Sequence, residues 1–323
     1  MCGYLPAVTA AARSLVVLPQ DTGRRLDLFL AEKLELSRAQ VRRLLASGAV
    51  SLDGRALGEA EKGARLASGG ELQVAPFARR DEQRALAAVG AGLVVRAQGP
   101  GWLAVDKPAG MPVHPLREDE TGTLLNLVIA RHPELHGVGE GGLRSGVVHR
   151  LDVDTSGVLL VATQQASWER LRAAFAEHRV EKVYRALVLG RALHAESVEL
   201  PLVTARHRPA RVRVAAAGEL ARGARIGRLS YRPLEVFAET TLLEVRPRTG
   251  FLHQIRVTLA HLGHPVAGDR SYGKPGDVTG AERHMLHAAR VGFEEIEAES
   301  PDAEDFAALC ARLRAGTRKP SDL

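Results

Sequence analysis

The sequence predicts a protein of mixed helix and strand, with a small N-terminal unit and a large C-terminal unit. The chain has 323 residues, which is long enough to build two hydrophobic cores. Residues 24–48 carry the periodic apolar pattern of two short helices, and from residue 93 onward strand patterns follow one another with helices between them. Hydrophobic residues make up 45% and charged residues 25% of the chain, as is ordinary for a globular protein.

The small unit is predicted to contain two helices followed by short strands. Ser37 is a suitable N-cap for the second helix, and Gly48 suits its C-terminal exit. The segment VSLDG (50–54) predicts a strand that ends in an Asp-Gly turn, and ELQVAP (71–76) predicts a later strand. The apolar helix positions that should form the core are Leu26, Phe29, Leu30, Val41, Leu44 and Leu45.

The charge distribution favours an anionic partner. The formal net charge is +6, and residues 201–230 contain seven arginines and a single acid, Glu219. Aromatic residues are scarce at 4%, so a single-strand binder that stacks bases is disfavoured. The second helix of the small unit carries basic residues on its outer side, which a solvated helix face explains equally simply. The basic positions singled out are Arg38, Arg42 and Arg43 on that helix, and Arg206, Arg208, Arg211 and Arg213 in a predicted loop.

The large unit is predicted to alternate strands and helices. Its first strand leads into a turn rich in Pro and Gly, which is expected to leave Lys107 and His114 exposed. A later helix should carry His253 and Arg256 on its polar face. The predicted segments are a strand and turn at 102–115, a helix at 168–180, strands at 182–190 and 241–247, a helix at 251–263, and a C-terminal helix that packs Phe306, Leu309, Cys310 and Leu313 in the core.

One loop concentrates ionisable groups between apolar runs. The segment GVVHRLDVDTSGVLLVA (146–162) places His149, Arg150, Asp152 and Asp154 between two segments that are typical of buried strands. A carboxylate in such surroundings needs a cationic partner to stay ionised, and Arg150 and Arg256 are the candidates. A buried Arg–Asp pair is often purely structural, so the pairing alone does not assign catalysis.

Four motifs, in order and spacing, resemble the RluA-type pseudouridine synthases. They are HRLDVDTSG (149–157), KVYRALVLG (182–190), TGFLHQIRVTLAHLGHPVAGDRSYG (249–273) and RHMLHA (283–288). The segment upstream of these motifs resembles the S4 RNA-binding domain. It has two short helices, of which the second begins with Ser-Arg and is basic, and then a strand that ends in a turn. The resemblance implies an α+β pseudouridine synthase fold, in which a mixed, mostly antiparallel sheet has flanking helices and a central cleft, preceded by a small S4-like α/β domain.

The residue patterns, together with the resemblance, predict a division of the chain into five parts. These are an N-terminal extension (1–23), the S4-like RNA-binding domain (24–76), a linker (77–92), the catalytic domain (93–315) and a disordered tail (316–323).

The resemblance implies an enzyme that isomerises uridine to pseudouridine in RNA without cofactor or metal. By this likeness Asp152 is the catalytic carboxylate, Tyr184 stacks on the target base, and Arg256 pairs with Asp152. Phe251 and Leu252 stand where the family has Arg and Thr. Substrate-binding positions are implied at His149, Arg150, Thr155, Lys182, His253, Gln254 and Leu286. RNA contacts are expected at Arg38, Arg42, Arg43, Arg206, Arg208, Arg211 and Arg213.

Other functions stay open at this point. Large-subunit ribosomal RNA is the expected substrate, but some members of the family modify transfer RNA, and a non-catalytic RNA-binding protein is a further alternative. A metal hydrolase is disfavoured, because Cys2 and Cys310 lie at opposite ends of the chain and His253 and His261 lie two helical turns apart. The chain lacks a signal-peptide pattern and an apolar run of membrane-spanning length, so a cytoplasmic monomer is expected.

Overall fold

The chain divides into two compact units, Met1–Arg84 and Ala85–Leu323. The structure is a computed structural model that describes residues 11–77, 83–88, 92–207, 209–217, 219 and 223–317. The boundary falls inside the predicted linker (77–92), and Ala85 already packs in a core cluster of the second unit. Arg208 and residues 318–323 of the predicted tail lie outside the described residues.

The first unit consists of a four-stranded antiparallel sheet and two helices. In chain order its elements are β1 (Arg13–Val16), α1 (Leu26–Lys33), α2 (Arg38–Ala46), β2 (Val50–Leu52), β3 (Arg55–Leu57) and β4 (Glu71–Val74). The strands lie in the order β1-β4-β2-β3. The six apolar positions predicted for the core are all buried, and the predicted helices and strands are confirmed.

Local capping and turn chemistry fix the ends of these elements. The Ser37 hydroxyl accepts a hydrogen bond from the Gln40 backbone N–H, while the Gln40 side chain accepts one from the Ser37 backbone N–H. Asp53 and Gly54 both have positive φ, as a two-residue hairpin turn between β2 and β3 requires. Strand β1 was not predicted. It pairs with β4, so residues from Arg13 onward join the sheet.

The second unit contains a ten-stranded sheet within the described residues, and it confirms the predicted α+β class. Its strands are β5 (Val94–Gly99), β6 (Trp102–Lys107), β7 (Ser156–Ala162), β8 (Glu181–Leu189), β9 (Glu196–His207), β10 (Ala210–Val214), β11 (Arg225–Val236), β12 (Thr240–Pro247), β13 (Leu286–Phe293) and β14 (Ile296–Glu299). They follow the order β10-β9-β11-β12-β8-β13-β7-β6-β5, with β14 also paired to β13. Among these described strands only the β13–β7 pairing is parallel, so the sheet is mostly antiparallel.

Four α-helices accompany this sheet in the described ranges. They are α3 (Leu124–Arg131), α4 (Gln165–Ala176), α5 (Gln254–His261) and α6 (Glu304–Thr317). Helix α4 packs Leu171 against the core cluster that contains β7, and α6 buries Phe306, Leu309 and Cys310, as the sequence predicted. Helix α6 also continues through Gly316 and Thr317, two residues into the predicted tail.

Three local predictions were wrong. The run at Val147 and Val148 is not a strand but makes a single bridge to β7, because the chain turns away after one pair. The arginine-rich stretch of residues 206–228 is not a single loop, since it supplies the end of β9, all of β10 and the start of β11. Lys107 and His114 are buried rather than exposed, and the Lys107 ammonium group turns inward to the carbonyl oxygens of Pro108 and Met111 in the Pro-Gly turn.

None of the helices in the described parts of the chain combines the length and the apolar character that a membrane span requires.

Candidate active site

The charged loop of residues 149–155 lies at the beginning of a fully buried strand. All seven residues of β7 are buried, and this strand lies in the middle of the large sheet between β13 and β6. The backbone N–H of Thr155 donates to the carbonyl oxygen of Asp152 at 3.1 Å, which closes a tight turn. This turn holds the Asp152 side chain at the sheet surface, where 22% of it remains exposed.

The Thr155-Ser156-Gly157 motif fastens this loop to strand β13. The Thr155 hydroxyl group lies 2.8 Å from His284 Nε2, and the Ser156 hydroxyl group lies 3.0 Å from His287 Nδ1. Gly157 has φ of +115°, and a Cβ atom there would lie 2.2 Å from the carbonyl oxygen of Ala288. Only glycine fits such a close approach of two backbones.

Arg256 joins two carboxylates in what we call the Asp–Arg–Asp chain, which consists of Asp152, Arg256 and Asp269. Its Nη1 donates to Asp152 Oδ2 at 2.9 Å, while Nε and Nη2 donate to the two oxygens of Asp269 at 2.7 and 2.9 Å. Burial disfavours the charge on Arg256, but the hydrogen bonds and charges of the two aspartates raise its pKa overall. Burial likewise opposes the charge on Asp269, yet Arg256 holds the pKa of this carboxyl group below its usual value.

Tyr184 and Lys182 lie on β8, one of the two strands that flank β13 in the sheet. Burial, together with the charge on nearby Asp152, raises the pKa of Tyr184, so its hydroxyl group remains protonated. The Lys182 ammonium group donates to the carbonyl oxygen of Thr249 at 3.3 Å, and burial lowers its pKa to about 8. The fold therefore brings Tyr184 close to the Asp–Arg–Asp chain, although residues 152, 184 and 256 are far apart in sequence.

His149 and Arg150, side by side in the sequence, have different surroundings. His149 stacks on Phe175 with 4.4 Å between ring centroids, and its Nε2 accepts from the backbone N–H of Leu160 at 2.9 Å. Burial lowers the pKa of His149 to about 3, so it is a neutral group that supports the loop. Arg150 is exposed, and the partner of Asp152 is Arg256 rather than Arg150.

Gln254 and Leu286 face the interior of the protein. The side-chain oxygen of Gln254 accepts from the Thr249 hydroxyl group and from the Phe251 backbone N–H, and its nitrogen donates to the carbonyl oxygen of Arg228. Leu286 is buried in the largest core cluster, against which Tyr184 also packs. Both residues therefore support the site from the interior of the protein.

His253 precedes helix α5 in a left-handed backbone conformation, with φ of +52°. Its Nε2 lies 4.0 Å from Asp152 Oδ2, and its Nδ1 lies 2.9 Å from the hydroxyl oxygen of Tyr272. Burial lowers the pKa of His253, against the opposing influence of Asp152, so the neutral form is favoured.

Lys107 binds the charged loop through its buried ammonium group, although the sequence predicted an exposed side chain. Its ammonium group donates to the carbonyl oxygens of Pro108, Met111 and Val153 at 2.8 to 2.9 Å. Burial lowers the pKa of Lys107 to about 7, whereas the three oxygens favour the charged form. The contact to Val153 holds the residue that directly follows Asp152.

Five residues that support the site were not assigned a role in the sequence analysis, namely Lys107, Asp269, Tyr272, Arg283 and His284. Arg283 donates to the carbonyl oxygen of Asp154 at 2.9 Å and to the Ser156 hydroxyl group at 3.2 Å, and its Nε and Nη2 donate to the two carboxylate oxygens of Asp305. Four of the five lie in motifs that carry the family resemblance, so the motifs themselves were the available signal.

The predicted RNA-contacting arginines that the structure describes are exposed, but they are divided between the two units. Arg38, Arg42 and Arg43 lie on α2, whereas Arg206, Arg211 and Arg213 lie on β9 and β10. Several already have protein partners. Arg38 donates to Asp27 at 3.1 Å, and Arg213 makes two hydrogen bonds of 2.7 Å to Glu219.

No cluster of three or more His, Cys, Asp or Glu side chains with the geometry of a metal site occurs among the described residues. The candidate site contains one partly exposed carboxylate, Asp152, the arginine that binds it, and a partly buried tyrosine, with the half-buried Lys182 on the same strand as the tyrosine.

Comparisons with solved structures identify the fold of the large unit. Human RNA pseudouridylate synthase domain containing 1 superposes with a TM-score of 0.56 over 69% of this chain and 90% of that chain, at 24% identity. Human RNA pseudouridylate synthase domain containing 4 gives a TM-score of 0.55 over 68% of this chain and 93% of that chain, at 23% identity. The large unit thus has the pseudouridine synthase fold.

Sequence comparisons place the chain in a family. The family profile described as RNA pseudouridylate synthase matches residues 101–261. A protein of Chloroflexus aurantiacus named uncharacterized RNA pseudouridine synthase is 38% identical over 292 residues, which cover 90% of this chain and 88% of the relative. The ribosomal large subunit pseudouridine synthase D of Xanthomonas campestris is 33% identical, over 97% of this chain and 96% of the relative. The chain belongs to the RNA pseudouridylate synthase family and is an RNA pseudouridine synthase.

Proposed function

We propose that this enzyme converts specific uridines of large-subunit ribosomal RNA to pseudouridine, with Asp152 as the reacting carboxylate and no cofactor. The observation that carries the role of Asp152 is its position at the exposed end of the Asp–Arg–Asp chain. Its Oδ2 is hydrogen-bonded to Arg256, and 22% of its side chain stays open to a substrate. The choice of ribosomal RNA is supported by the relatives named ribosomal large subunit pseudouridine synthase D, which align over nearly the full chain.

The chemistry needs a carboxylate with a fixed cationic partner. In the isomerisation the C1′–N1 bond of uridine breaks, the base rotates, and C5 bonds to C1′. A carboxylate can add covalently to the base or the sugar, or remove a sugar proton, and later leave. Arg256 gives the carboxylate a charged partner, and Asp269 keeps the guanidinium plane in place through two hydrogen bonds.

Tyr184 is suited to hold the rotating base. Its ring offers a flat surface for uracil, and its hydroxyl group, whose raised pKa keeps it protonated, can donate a hydrogen bond. Lys182 and Arg150 provide positive charge beside the loop for the phosphates that flank the target nucleotide. A uridine in folded RNA has to leave its stack, which costs a few kcal/mol that such contacts offset.

The small unit and strands β9 and β10 are assigned to RNA binding. The exposed arginines of α2 can contact phosphates without reading sequence, in agreement with the S4-like order of elements. Arg206 and Arg211 extend the basic surface of the large unit. The protein acts in this proposal as a cytoplasmic enzyme on RNA.

The test is release of tritium from RNA labelled at uridine C5, since C5 must lose its hydrogen to become the glycosidic carbon. The native enzyme is expected to release tritium from unmodified large-subunit ribosomal RNA in the presence of a chelator. Asp152→Asn should release none, while Asp154→Asn, an exposed carboxylate two residues away, should retain most activity. Release from transfer RNA alone would overturn the ribosomal substrate. Release by Asp152→Asn would overturn the assignment of Asp152 as the reacting carboxylate. No release from any RNA would overturn the proposed activity and indicate an RNA-binding protein without catalysis.

A further inference from the structure

Tyr272 connects the site to a part of the protein that carries several exposed arginines. Strands β9 and β10 form a hairpin with Arg206, Arg211 and Arg213, which we call the arginine hairpin. The backbone N–H of Val212, on β10, donates to the Tyr272 hydroxyl oxygen at 2.8 Å. The same hydroxyl group lies 2.9 Å from His253 Nδ1, and His253 in turn faces Asp152.

These hydrogen bonds determine which nitrogen of His253 carries the proton. A backbone N–H is only a donor, so the Tyr272 oxygen accepts from Val212. Among the described residues, the acceptor within hydrogen-bond distance of the hydroxyl proton is His253 Nδ1, and donation to it requires that Nδ1 be unprotonated. A neutral imidazole with an unprotonated Nδ1 carries its proton on Nε2, which is the nitrogen 4.0 Å from Asp152 Oδ2.

The surroundings of Tyr272 hold it in this position. Two guanidinium groups approach its ring, with Arg256 Cζ 5.2 Å and Arg211 Cζ 6.0 Å from the ring centroid. Its backbone N–H donates to Asp269 Oδ1 at 3.0 Å, so the tyrosine is tied to the buried end of the Asp–Arg–Asp chain.

The arginine hairpin packs against helix α5 through an apolar cluster. Val212 and Leu202 of the hairpin pack with Val257 of the helix, and Phe251, Leu252 and Tyr272 lie against this cluster. Phe251 and Leu252 are the two positions that depart from the family pattern. In this chain they extend the apolar contact that keeps the Val212 N–H beside Tyr272.

The backbone of His253 has an unfavourable left-handed conformation, which indicates that the surrounding structure holds this residue in place. A left-handed conformation at a non-glycine residue is strained and persists where surrounding contacts fix it. The hydrogen bonds of Gln254 to Thr249 and Phe251 lock the preceding turn. The imidazole is thereby directed at Asp152 and not at solvent.

We infer that Tyr272 is a positioning residue for the isomerisation: its hydroxyl group fixes His253 with Nε2–H directed at Asp152. This inference rests on the proposed role of Asp152. The distance of 4.0 Å exceeds a hydrogen bond, and such contacts tighten when substrate fills a site. The Nε2–H group then stabilises negative charge on Asp152 during the reaction.

The first test requires no turnover. The enzyme is labelled with ¹⁵N-histidine, and the His253 signals are assigned by their loss in His253→Asn. The native protein should show His253 as the Nε2–H tautomer, and Tyr272→Phe should change it to a mixture of tautomers. An Nδ1–H tautomer in the native enzyme, or an unchanged spectrum in Tyr272→Phe, would overturn the inference. Since this readout is spectroscopic, it is independent of whether the proposed substrate is right.

The second test separates positioning from binding. At saturating RNA, Tyr272→Phe should lower kcat about tenfold and leave the Kd for RNA within about twofold, because only one hydroxyl group is removed. Tyr231→Phe is the matched control, since Tyr231 also has a hydrogen-bonded hydroxyl group, to Glu196 at 2.7 Å, but no link to His253. A lowered melting temperature with unchanged kcat in Tyr272→Phe would show a purely structural tyrosine.

Two substitutions of His253 complete the test. Asn places its amide near the Nδ1 position and tolerates a left-handed backbone, but it lacks a donor towards Asp152. Gln extends its amide nitrogen to the Nε2 position and restores that donor. We expect His253→Asn to lose activity about tenfold and His253→Gln to recover part of it. The Tyr272→Phe/His253→Asn double variant should be no slower than His253→Asn alone, and additive losses would contradict a shared pathway.

Discussion

Each unit of the protein contains a buried carboxylate bound by arginine, but the two arrangements are opposite. In the small unit one carboxylate, Asp27, is 1% exposed and is bound by two arginines whose side chains reach solvent, Arg25 at 37% and Arg38 at 56% exposed. In the large unit one arginine, Arg256, is 8% exposed and binds two carboxylates, Asp269 at 0% and Asp152 at 22%.

The two carboxylates differ in how many of their oxygens are hydrogen-bonded. Both oxygens of Asp27 are occupied, since Arg25 donates to each of them at 3.0 Å and Arg38 adds a third bond. Asp152 has only its Oδ2 hydrogen-bonded among the described residues. A carboxylate that is saturated and buried stabilises a fold, whereas one that is partly bound and partly exposed can act on a substrate.

The largest expected effect is a separation of activity from stability between the two sites. Asp152→Asn should reduce turnover by roughly 10³-fold or more with little loss of stability, because the shape and one acceptor remain. Asp27→Asn should lower the free energy of unfolding by about 2 kcal/mol, since charged hydrogen bonds to a buried group are weakened. Its turnover at saturating RNA should stay near native. Tritium release measures the turnover of both variants, and urea unfolding measures their stability. An equal loss of activity in both variants would contradict the proposed difference between Asp152 and Asp27.

Arg256→Ala should impair both properties at once. Its removal leaves Asp269 buried without a countercharge, and breaking a buried pair typically costs about 3–5 kcal/mol. Activity should fall with it, because Asp152 loses its partner. Arg256→Ala/Asp269→Asn removes that buried charge and should regain stability but not activity. Denaturant unfolding and tritium release would show this, and recovery of turnover in the double variant would contradict the role of Arg256.

Substitution of the α2 arginines should change affinity and leave chemistry intact. Arg42→Ala/Arg43→Ala removes two exposed charges that do not contact Asp27, so the fold of the small unit is kept. The slope of log affinity against log salt should decrease by about one for each phosphate that is no longer neutralised by an arginine. Filter binding at several salt concentrations measures the slope, with kcat at saturating RNA as the control. An unchanged slope would remove α2 from the RNA interface.

The smallest expected effect is a pH dependence at Lys182. Burial lowers its pKa to about 8, so the ammonium group is charged below pH 8 and loses its proton above it. The affinity of the native enzyme for RNA should therefore weaken about threefold between pH 7 and pH 9, because the neutral amine no longer attracts a phosphate. Lys182→Arg remains charged throughout this range, and its affinity should be nearly constant. An equal loss of RNA affinity between pH 7 and pH 9 in the native enzyme and in Lys182→Arg would show that a group other than Lys182 titrates.

The small unit was largely predictable because its signals are local. The Ser37 cap, the Asp53-Gly54 turn and the helix periodicities depend on residues within a few positions of one another, and the structure confirms all of them. Strand β1 was missed, because only its pairing with β4, far along the chain, gives it a sheet environment.

The site was predictable in its residue types and not in its connections. The motifs pointed to Asp152, Tyr184 and Arg256, and the structure brings Arg256 to Asp152 across 104 residues of sequence. Lys107 was expected at the surface, because a lysine beside a Pro-Gly turn is usually exposed. Its burial depends on three carbonyl oxygens, one of them from a residue 46 positions away, and no local pattern encodes such an acceptor.

The sequence by itself therefore determined the helices and turns of the small unit and the family to which the large unit belongs. Tertiary structure alone decided that Asp269 fixes Arg256, that Arg283 and Lys107 hold the loop of Asp152, and that Tyr272 links the arginine hairpin to His253. The physical reason is the range of the forces involved. Caps and turns depend on neighbouring residues, whereas desolvation and charge pairing depend on whatever the folded chain brings within a few ångströms.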